Sequence, residues 1–243
     1  MVCWQKLQKD VFDEAAMSTQ STSSPSSDAQ LMMLADAAWM HLKSHSLDKI
    51  SLTMVADQAG VPMGLAAALG GSVQRLVLCK MAALDRQAVL ETYGDIQDAG
   101  AVSIREKIVE GLLHRFEIYT PYRGQIAMLN QSVRTHPELA LRLADQLESV
   151  VRRILVMSGD PAEGMRGQIR VKGVAGVCIL VGRVWMKDDS PDLAVTMKAL
   201  DQRMTQAEEW GQSLRVFGSG RQQHEGDADQ DADLAGRYGV DND

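Results

Sequence analysis

The segment spanning residues 48–86 constrains the fold of this chain more than any other part of its sequence. Ser51 can cap a short helix, and Gly60 suits the left-handed residue that ends it. A second short helix follows from Met63, and Ser72 can open a longer third one. Two short helices held by a tight turn beside a longer helix form a helix-turn-helix, which this segment therefore predicts.

Helical periodicity continues on both sides of this segment. Apolar residues recur at three- and four-residue spacing, and no run alternates as a strand would. Ser27 or Asp28 can cap a first helix. Further helices are predicted over residues 102–119 and 122–133, and another begins at Pro137. The pattern predicts an all-α fold.

Two more helix starts are predicted where a capping residue precedes proline. Asp160 and Pro161 can open a helix over residues 161–187, and Ser190 and Pro191 can open the last one. In that last helix an apolar seam is predicted at Leu193, Met197, Leu200 and Met204.

Charge is unevenly distributed along the chain. The formal net charge is −7, and residues 219–243 hold seven acidic and two basic residues, or −5, which leaves −2 for the rest. A Ser/Thr-rich N-terminus and this acidic tail are both predicted to be disordered. The predicted organisation is an extension over 1–27, a helix-turn-helix-like domain over 28–95, a helical ligand-binding and dimerisation domain over 96–215, and a tail over 216–243.

The sequence contains no recognisable enzyme or metal-binding motif. Cys3, Cys79 and Cys178 are too far apart for a metal site or a disulfide framework, which favours the cytoplasm. His41 and His45 lie four residues apart without a further ligand, so we expect surface histidines. We therefore expect no catalytic activity, no metal and no cofactor.

The second short helix lacks the side chains that usually read DNA. From Met63 to Gly71 no side chain can donate a hydrogen bond to a base edge, and none is basic. Residues 28–94 hold five bases and six acids, which is unfavourable for binding phosphates. Backbone amides and hydroxyl groups could still contact DNA. The residues predicted to approach DNA are Ser51, Thr53, Gly60, Val61, Met63 and Gly64.

Residues 28–212 resemble TetR-type regulators. The resemblance is carried by the VADQAGV sequence of residues 55–61, the short helices around it and the six helices that follow. It implies an N-terminal helix-turn-helix domain and a C-terminal domain that binds a hydrophobic ligand and forms a homodimer through the last two helices. It implies a ligand-responsive, DNA-binding transcriptional regulator.

A second resemblance lies near the C-terminus. The sequences WMKDDSPDL (185–193) and TMKALD (196–201), with TPY at 120–122, are similar to a TetR-like lipid-binding family that assists ubiquinone biosynthesis. This implies an isoprenoid quinone-like ligand, a hydroxylase as partner and peripheral contact with the inner membrane. The implied partner surface consists of Asp188, Asp189, Ser190, Pro191, Asp192 and Met197. The same SPD sequence is also simply a good helix start.

Apolar residues of the C-terminal helices could line a lipid or ligand pocket. The predicted pocket residues are Leu112, Phe116, Met128, Leu129, Leu155, Val174, Cys178, Val181 and Trp185. Apolar stripes of this kind also form ordinary helix cores. The first hypothesis is a non-catalytic lipid-binding accessory protein of ubiquinone biosynthesis, and the alternative is a TetR-type regulator.

Overall fold

The computed structural model describes residues 25–98 and 102–213 of the chain. Every regular element in these ranges is helical, which confirms the all-α prediction. The helices are α1 (Ser27–His41), α2 (Leu52–Ala59), α3 (Met63–Gly70), α4 (Val73–Asp98), α5 (Ile104–Tyr119), α6 (Arg123–Ser132), α7 (Pro137–Met157), α8 (Gly164–Trp185) and α9 (Ala194–Ser213). Short 3-10 turns occupy Leu47–Lys49, Thr120–Tyr122 and Pro191–Leu193.

Local capping signals set the bounds of the N-terminal helices. The hydroxyl of Ser51 accepts a hydrogen bond from the Met54 amide at 3.2 Å and caps α2. Gly60 ends α2 in the left-handed conformation, with φ of 64°. Both were predicted from the sequence and are confirmed. Ser26 caps α1, so the predicted caps, Ser27 or Asp28, were wrong by one or two residues.

Helix α4 joins the two halves of the described structure. Its first turns pack on α1, where Trp39, Leu76 and Val77 are buried. Its later turns pack against α5 and α7 in the helical body, which consists of α5–α9. The rings of Trp39 and Tyr122 make a second contact between the halves, edge to face at 5.8 Å.

The helical body is closely packed around α5 and α7. A Cβ atom at Gly111 of α5 would lie 3.0 Å from Cγ2 of Ile154 on α7, so glycine allows the close approach of these helices. Helix α9 packs along α8 and is also bound to α5, because the Arg105 guanidinium donates to Asp201 at 2.7 Å and Glu208 at 3.1 Å.

The start of α8 differs from the prediction. The helix begins at Gly164 instead of Pro161, and Ala162 has φ of 50°. Asp160 does not cap the helix but accepts a hydrogen bond from the Ala162 amide at 3.0 Å. The turn folds back closely onto the helix. A Cβ atom at Gly167 would lie only 2.1 Å from the Ala162 carbonyl carbon, so a side chain has no room there.

The start of α9 also differs from the prediction. Asp192 and Leu193 have φ of 54° and 51°, so the helix begins at Ala194. Leu193, Leu200 and Met204 of the predicted seam are buried, whereas Met197 is 47% exposed in the single chain.

Two predicted segments lie largely outside the described residues. The tail over 216–243 does so entirely, and of the extension over 1–27 only residues 25–27 are described. Within the described ranges no single helix is long and apolar enough to cross a membrane. Only α2 and α3 taken together meet that test, and they are bent by 112°.

Candidate ligand cavity and DNA-facing surface

A cavity of about 500 Å³ lies among α4, α5, α6, α7 and α8. That volume is within the range of sites for small organic ligands. Apolar and aromatic side chains dominate its wall. The lining residues are Met81, Arg115, Phe116, Tyr119, Ile126, Leu129, Asn130, Arg134, Leu143, Leu147, Cys178, Ile179, Gly182, Arg183, Trp185 and Met186.

The structure brings only part of the predicted pocket to this wall. Four of the nine predicted residues line it, namely Phe116, Leu129, Cys178 and Trp185. The other five pack elsewhere in the helical body and are Leu112, Met128, Leu155, Val174 and Val181. Whether any of the nine contacts a ligand remains a prediction.

A buried ion pair connects the cavity wall to α4. Asp85 of α4 is 1% exposed, and its carboxylate accepts from Arg115 Nε at 2.8 Å. The Gln146 amide donates to the same carboxylate at 3.2 Å. The Tyr119 hydroxyl lies 3.1 Å from both Asp85 and the Met81 carbonyl, and its single proton can serve only one of them.

Burial and charge shift the pKa values of this network. Burial would lower the pKa of Arg115, but the neighbouring Asp85 carboxylate outweighs it and raises the pKa. Burial raises the pKa of Tyr119 well above its usual range and that of Cys178 to about 11. The guanidinium, whose carbon lies 4.7 Å from the Tyr119 ring centre, is therefore charged, while the phenol and thiol are neutral.

The charged groups that line the cavity are three arginines. Arg115 is paired with Asp85 and has a side chain that is 14% exposed. Arg134, which follows α6, and Arg183, in α8, are both exposed. Across residues 25–98 and 102–213, neither of these two forms an ion pair. No aspartate or glutamate belongs to the lining.

Trp185, which lines the cavity, is held by contacts with three neighbouring side chains. Its ring lies 5.6 Å from that of Phe116, and its Nε1 donates to the Thr120 hydroxyl at 3.1 Å. The Arg123 guanidinium lies over the same ring at 5.2 Å and donates to the Asp188 carbonyl at 2.6 Å. These contacts tie the end of α8 to the turn between α5 and α6.

The segment predicted as a partner surface has a structural role at one position. The Asp188 carboxylate is buried and accepts from the Thr196 amide at 2.7 Å, from the Thr196 hydroxyl at 2.6 Å and from the Ser190 amide at 3.0 Å. Burial alone would raise the pKa of Asp188, but the hydrogen bonds from Ser190 and Thr196 hold it far below its usual range. The exposed members of the segment are Asp189, Pro191, Asp192 and Met197, and Ser190 is half-buried. A partner surface here remains a prediction.

The outer face of α3 is apolar and made of small residues. Met63 is 45% exposed, and Gly64, Ala67 and Ala68 are exposed beside it. Val61, predicted to approach DNA, is buried. Of the other predicted residues, Gly60 and Thr53 are exposed, and exposed Ser51 uses its hydroxyl as the cap of α2.

A histidine links the helix-turn-helix to the helical body. His136 Nε2 contacts the Asp48 carboxylate, and its Nδ1 lies 3.1 Å from Glu138. The hydrogen bond with Asp48, more than the nearby Glu138, raises the pKa of His136. Arg134, on the cavity wall, is only two residues away in sequence.

Sequence reasoning missed the polar part of the cavity. Arg115 stands next to Phe116 and four residues before Tyr119, so its place on an apolar face was a usable signal. Asp85 is thirty residues away from its partner in sequence, and no local spacing points to the pair.

Comparisons with known proteins support the fold. No protein-family model matches the chain, and no curated protein matches it. A solved structure of the fatty acid degradation regulator FadR from Bacillus halodurans is 18% identical, with a TM-score of 0.51 over 71% of this chain and 93% of FadR. A structure from Rhodococcus sp., assigned to the TetR-family transcriptional regulators, is 14% identical, with a TM-score of 0.51 over 74% of this chain and 97% of that protein. At these identities the likeness shows the fold alone, and that fold is TetR-like.

Proposed function

We propose that this chain is a dimeric transcriptional regulator whose affinity for DNA is set by an apolar ligand in the cavity. The observation that carries the proposal is the position of α4. Val77 of α4 lies in the core beneath the helix-turn-helix, and Met81, four residues on, lines the cavity. A ligand that favours one spacing of α4 and α5 therefore also favours one placement of α3.

Contact with DNA would depend on shape and apolar chemistry. Met63, Ala67 and Ala68 on the outer face of α3 could contact thymine methyl groups in the major groove. Exposed Lys49 and Arg75, which flank the two short helices in sequence, could contact phosphates. Because so few basic side chains are available, we expect DNA binding that is weak and that falls steeply with salt.

Dimer formation would place two copies of α3 on one DNA face. Helix α8 exposes Ile169 and Leu180, and nothing lies within 4 Å of a Cβ built at Gly173 or Gly176. Such an apolar face with small residues suits close packing against the same face of a second copy. We propose α8 and α9 as the dimer interface.

The ligand class follows from the cavity wall. Phe116, Leu129, Leu143 and Leu147 offer an apolar surface suited to a hydrocarbon chain. One structural neighbour, FadR, is named for fatty acid degradation. We therefore propose a lipid-like effector for this chain.

DNA binding is the test of the proposal. The measurement is fluorescence anisotropy with DNA from upstream of the gene, at about 50 mM and about 200 mM salt. Ala67→Glu places a negative charge on the exposed face of α3 and should abolish binding without unfolding the chain. Ala144→Glu, at an exposed position of α7, is the matched control. Failure of the unaltered chain to bind below micromolar protein at low salt would overturn the proposal.

A second candidate is the lipid-binding accessory role in ubiquinone biosynthesis, with a hydroxylase as partner. The specific observation in its favour is the outer face of α3, which has no hydrogen-bond donor among its side chains. The quinones of cells lacking the gene distinguish the two functions. Build-up of a prenylated precursor, together with no DNA binding, would favour the accessory role, whereas an unchanged quinone profile would remove it.

A further inference from the structure

The cavity wall has a charge opposite to that of the chain as a whole. The chain carries a formal net charge of −7, yet the charged residues of the lining are Arg115, Arg134 and Arg183. A purely apolar ligand would make no use of these charges, whereas an anionic group in the cavity could pair with them. The lining therefore contains a feature that a purely apolar ligand does not explain.

Two of these arginines have charges that the protein leaves uncompensated. Asp85 neutralises Arg115 at 2.8 Å. Arg134 and Arg183 come from different elements, open onto the same cavity, and have no carboxylate within 4.0 Å in the described part of the chain. Both are exposed in the single chain, so they lie at the mouth of the cavity. Arg183 follows Leu180 by three residues and therefore borders the proposed dimer interface. The combined field of the two arginines at the mouth favours an anion.

The inner wall favours a chain without charge. Phe116, Leu129 and Cys178 are buried, and burial keeps the Cys178 thiol neutral by raising its pKa to about 11. The Arg115 charge is already satisfied by Asp85, so a ligand need not bring a counter-charge to the inner wall.

We propose that the cavity binds a single-chain amphiphile with an acidic head, whose carboxylate or phosphate pairs with Arg134 and Arg183 while its hydrocarbon chain lies against Phe116 and Leu129. This inference rests on the proposed ligand cavity and names the chemistry of its ligand. The arginines at the mouth set the preference for an acid, and the apolar wall supplies most of the affinity. Cationic amphiphiles are excluded by the same charges.

The test compares three probes that each contain twelve carbon atoms, below the critical micelle concentrations of the two anions and below the solubility limit of the alcohol. Laurate and monododecyl phosphate carry acidic heads, and dodecanol carries none. Isothermal titration calorimetry of the full chain should show that both anions bind about tenfold more tightly than dodecanol, as expected for two exposed ion pairs. Arg134→Gln and Arg183→Gln should each reduce this preference about threefold and leave dodecanol unchanged. Arg142→Gln removes an exposed arginine of α7 outside the cavity and should change nothing.

The possible outcomes test the acidic head group and the apolar cavity independently. Equal affinity for laurate and dodecanol would overturn the acidic head while keeping an apolar ligand. A preference that survives Arg134→Gln with Arg183→Gln, but disappears in Asp85→Leu with Arg115→Met, would overturn the placement of the head at the mouth. Binding of none of the three probes would remove the ligand cavity, and with it the proposed function. Tight binding of the anions without any effect on DNA would support the inference and contradict the regulator.

Discussion

The helices α1–α3 and the helical body differ in where they keep their polar groups. Among the described residues, every buried aspartate, glutamine, serine and threonine lies at Asp85 or later in the chain. The outer face of α3 carries no charged side chain, whereas the cavity wall carries three arginines. The comparison teaches that this protein concentrates its specific chemistry in the body, so single charge changes should matter most there.

The strongest way to break this comparison is to remove one partner of the buried pair. We expect Asp85→Leu or Arg115→Met alone to lower the free energy of unfolding by about 3–5 kcal/mol, because an uncompensated charge is left buried. The double variant should recover most of the loss, since both charges are gone. Urea denaturation of the two single variants and the double variant measures the coupling.

A surface pair provides the control for this cycle. Lys172 and Glu148 lie 2.9 Å apart, but the Lys172 side chain is 64% exposed. Lys172→Met should change stability by less than about 1 kcal/mol. Similar effects from the two pairs would contradict the assignment of buried charge to the cavity wall.

A second buried carboxylate should sharpen the comparison through its dependence on pH. Asp188→Asn should cost about 1–3 kcal/mol at neutral pH, because the amide cannot accept from Ser190 and Thr196 on both of its atoms. The folded pKa of Asp188 lies far below the unfolded value, so its contribution is present above about pH 4 and is lost as pH falls toward the folded pKa. Denaturation at neutral pH and at about pH 3 should show a smaller difference between wild type and variant at the lower pH. A constant difference would contradict the role of the carboxylate charge.

Adding charge to α3 tests the other side of the comparison. Ala67→Lys places a cation on the exposed face and should increase affinity for DNA a few-fold, with a salt slope that is steeper by about one unit. The fold should be unaffected, because Ala67 is exposed. Anisotropy titrations over a range of salt measure the slope. An unchanged slope would mean that this face does not approach phosphate.

The smallest expected effect concerns the contact between the two halves. The Asp48 carboxylate raises the pKa of His136 in the folded protein. The stabilisation by this contact is therefore fully present below the unfolded pKa of about 6.5 and is lost as pH rises through the folded value. In Asp48→Asn the pKa of His136, followed by NMR, should fall toward its ordinary value. Glu138→Gln should lower it less, and an equal fall in both variants would contradict the dominance of Asp48.

Elements with local signals could be predicted from the sequence. Ser51 and Gly60 define α2 through hydrogen bonds and backbone conformation within a few residues, and both were found as expected. The start of α8 was wrong because the turn at Ala162 depends on the close approach of Gly167. A capping pattern alone does not contain that packing.

The candidate site was harder to predict than the fold. Phe116 and Trp185 were found because apolar residues at helical spacing face the interior. Arg115 was not predicted as a cavity residue. Its burial depends on Asp85, and only the folded chain brings the two residues together. Helix periodicity identifies which face is buried but not which part of that face is hollow.

The reactivity of Cys178 can report on access to the cavity. With its pKa raised to about 11 from 9.0, the thiol has about a hundredth of the thiolate that an unperturbed cysteine would have at the same pH. An alkylating reagent should therefore modify it slowly in the folded chain, since burial both suppresses the thiolate and restricts access. The half-buried Cys79 on α4 serves as the internal reference. The rate of modification at Cys178, relative to that at Cys79, therefore measures how often the Cys178 thiol becomes accessible. A ligand in the cavity should lower this rate.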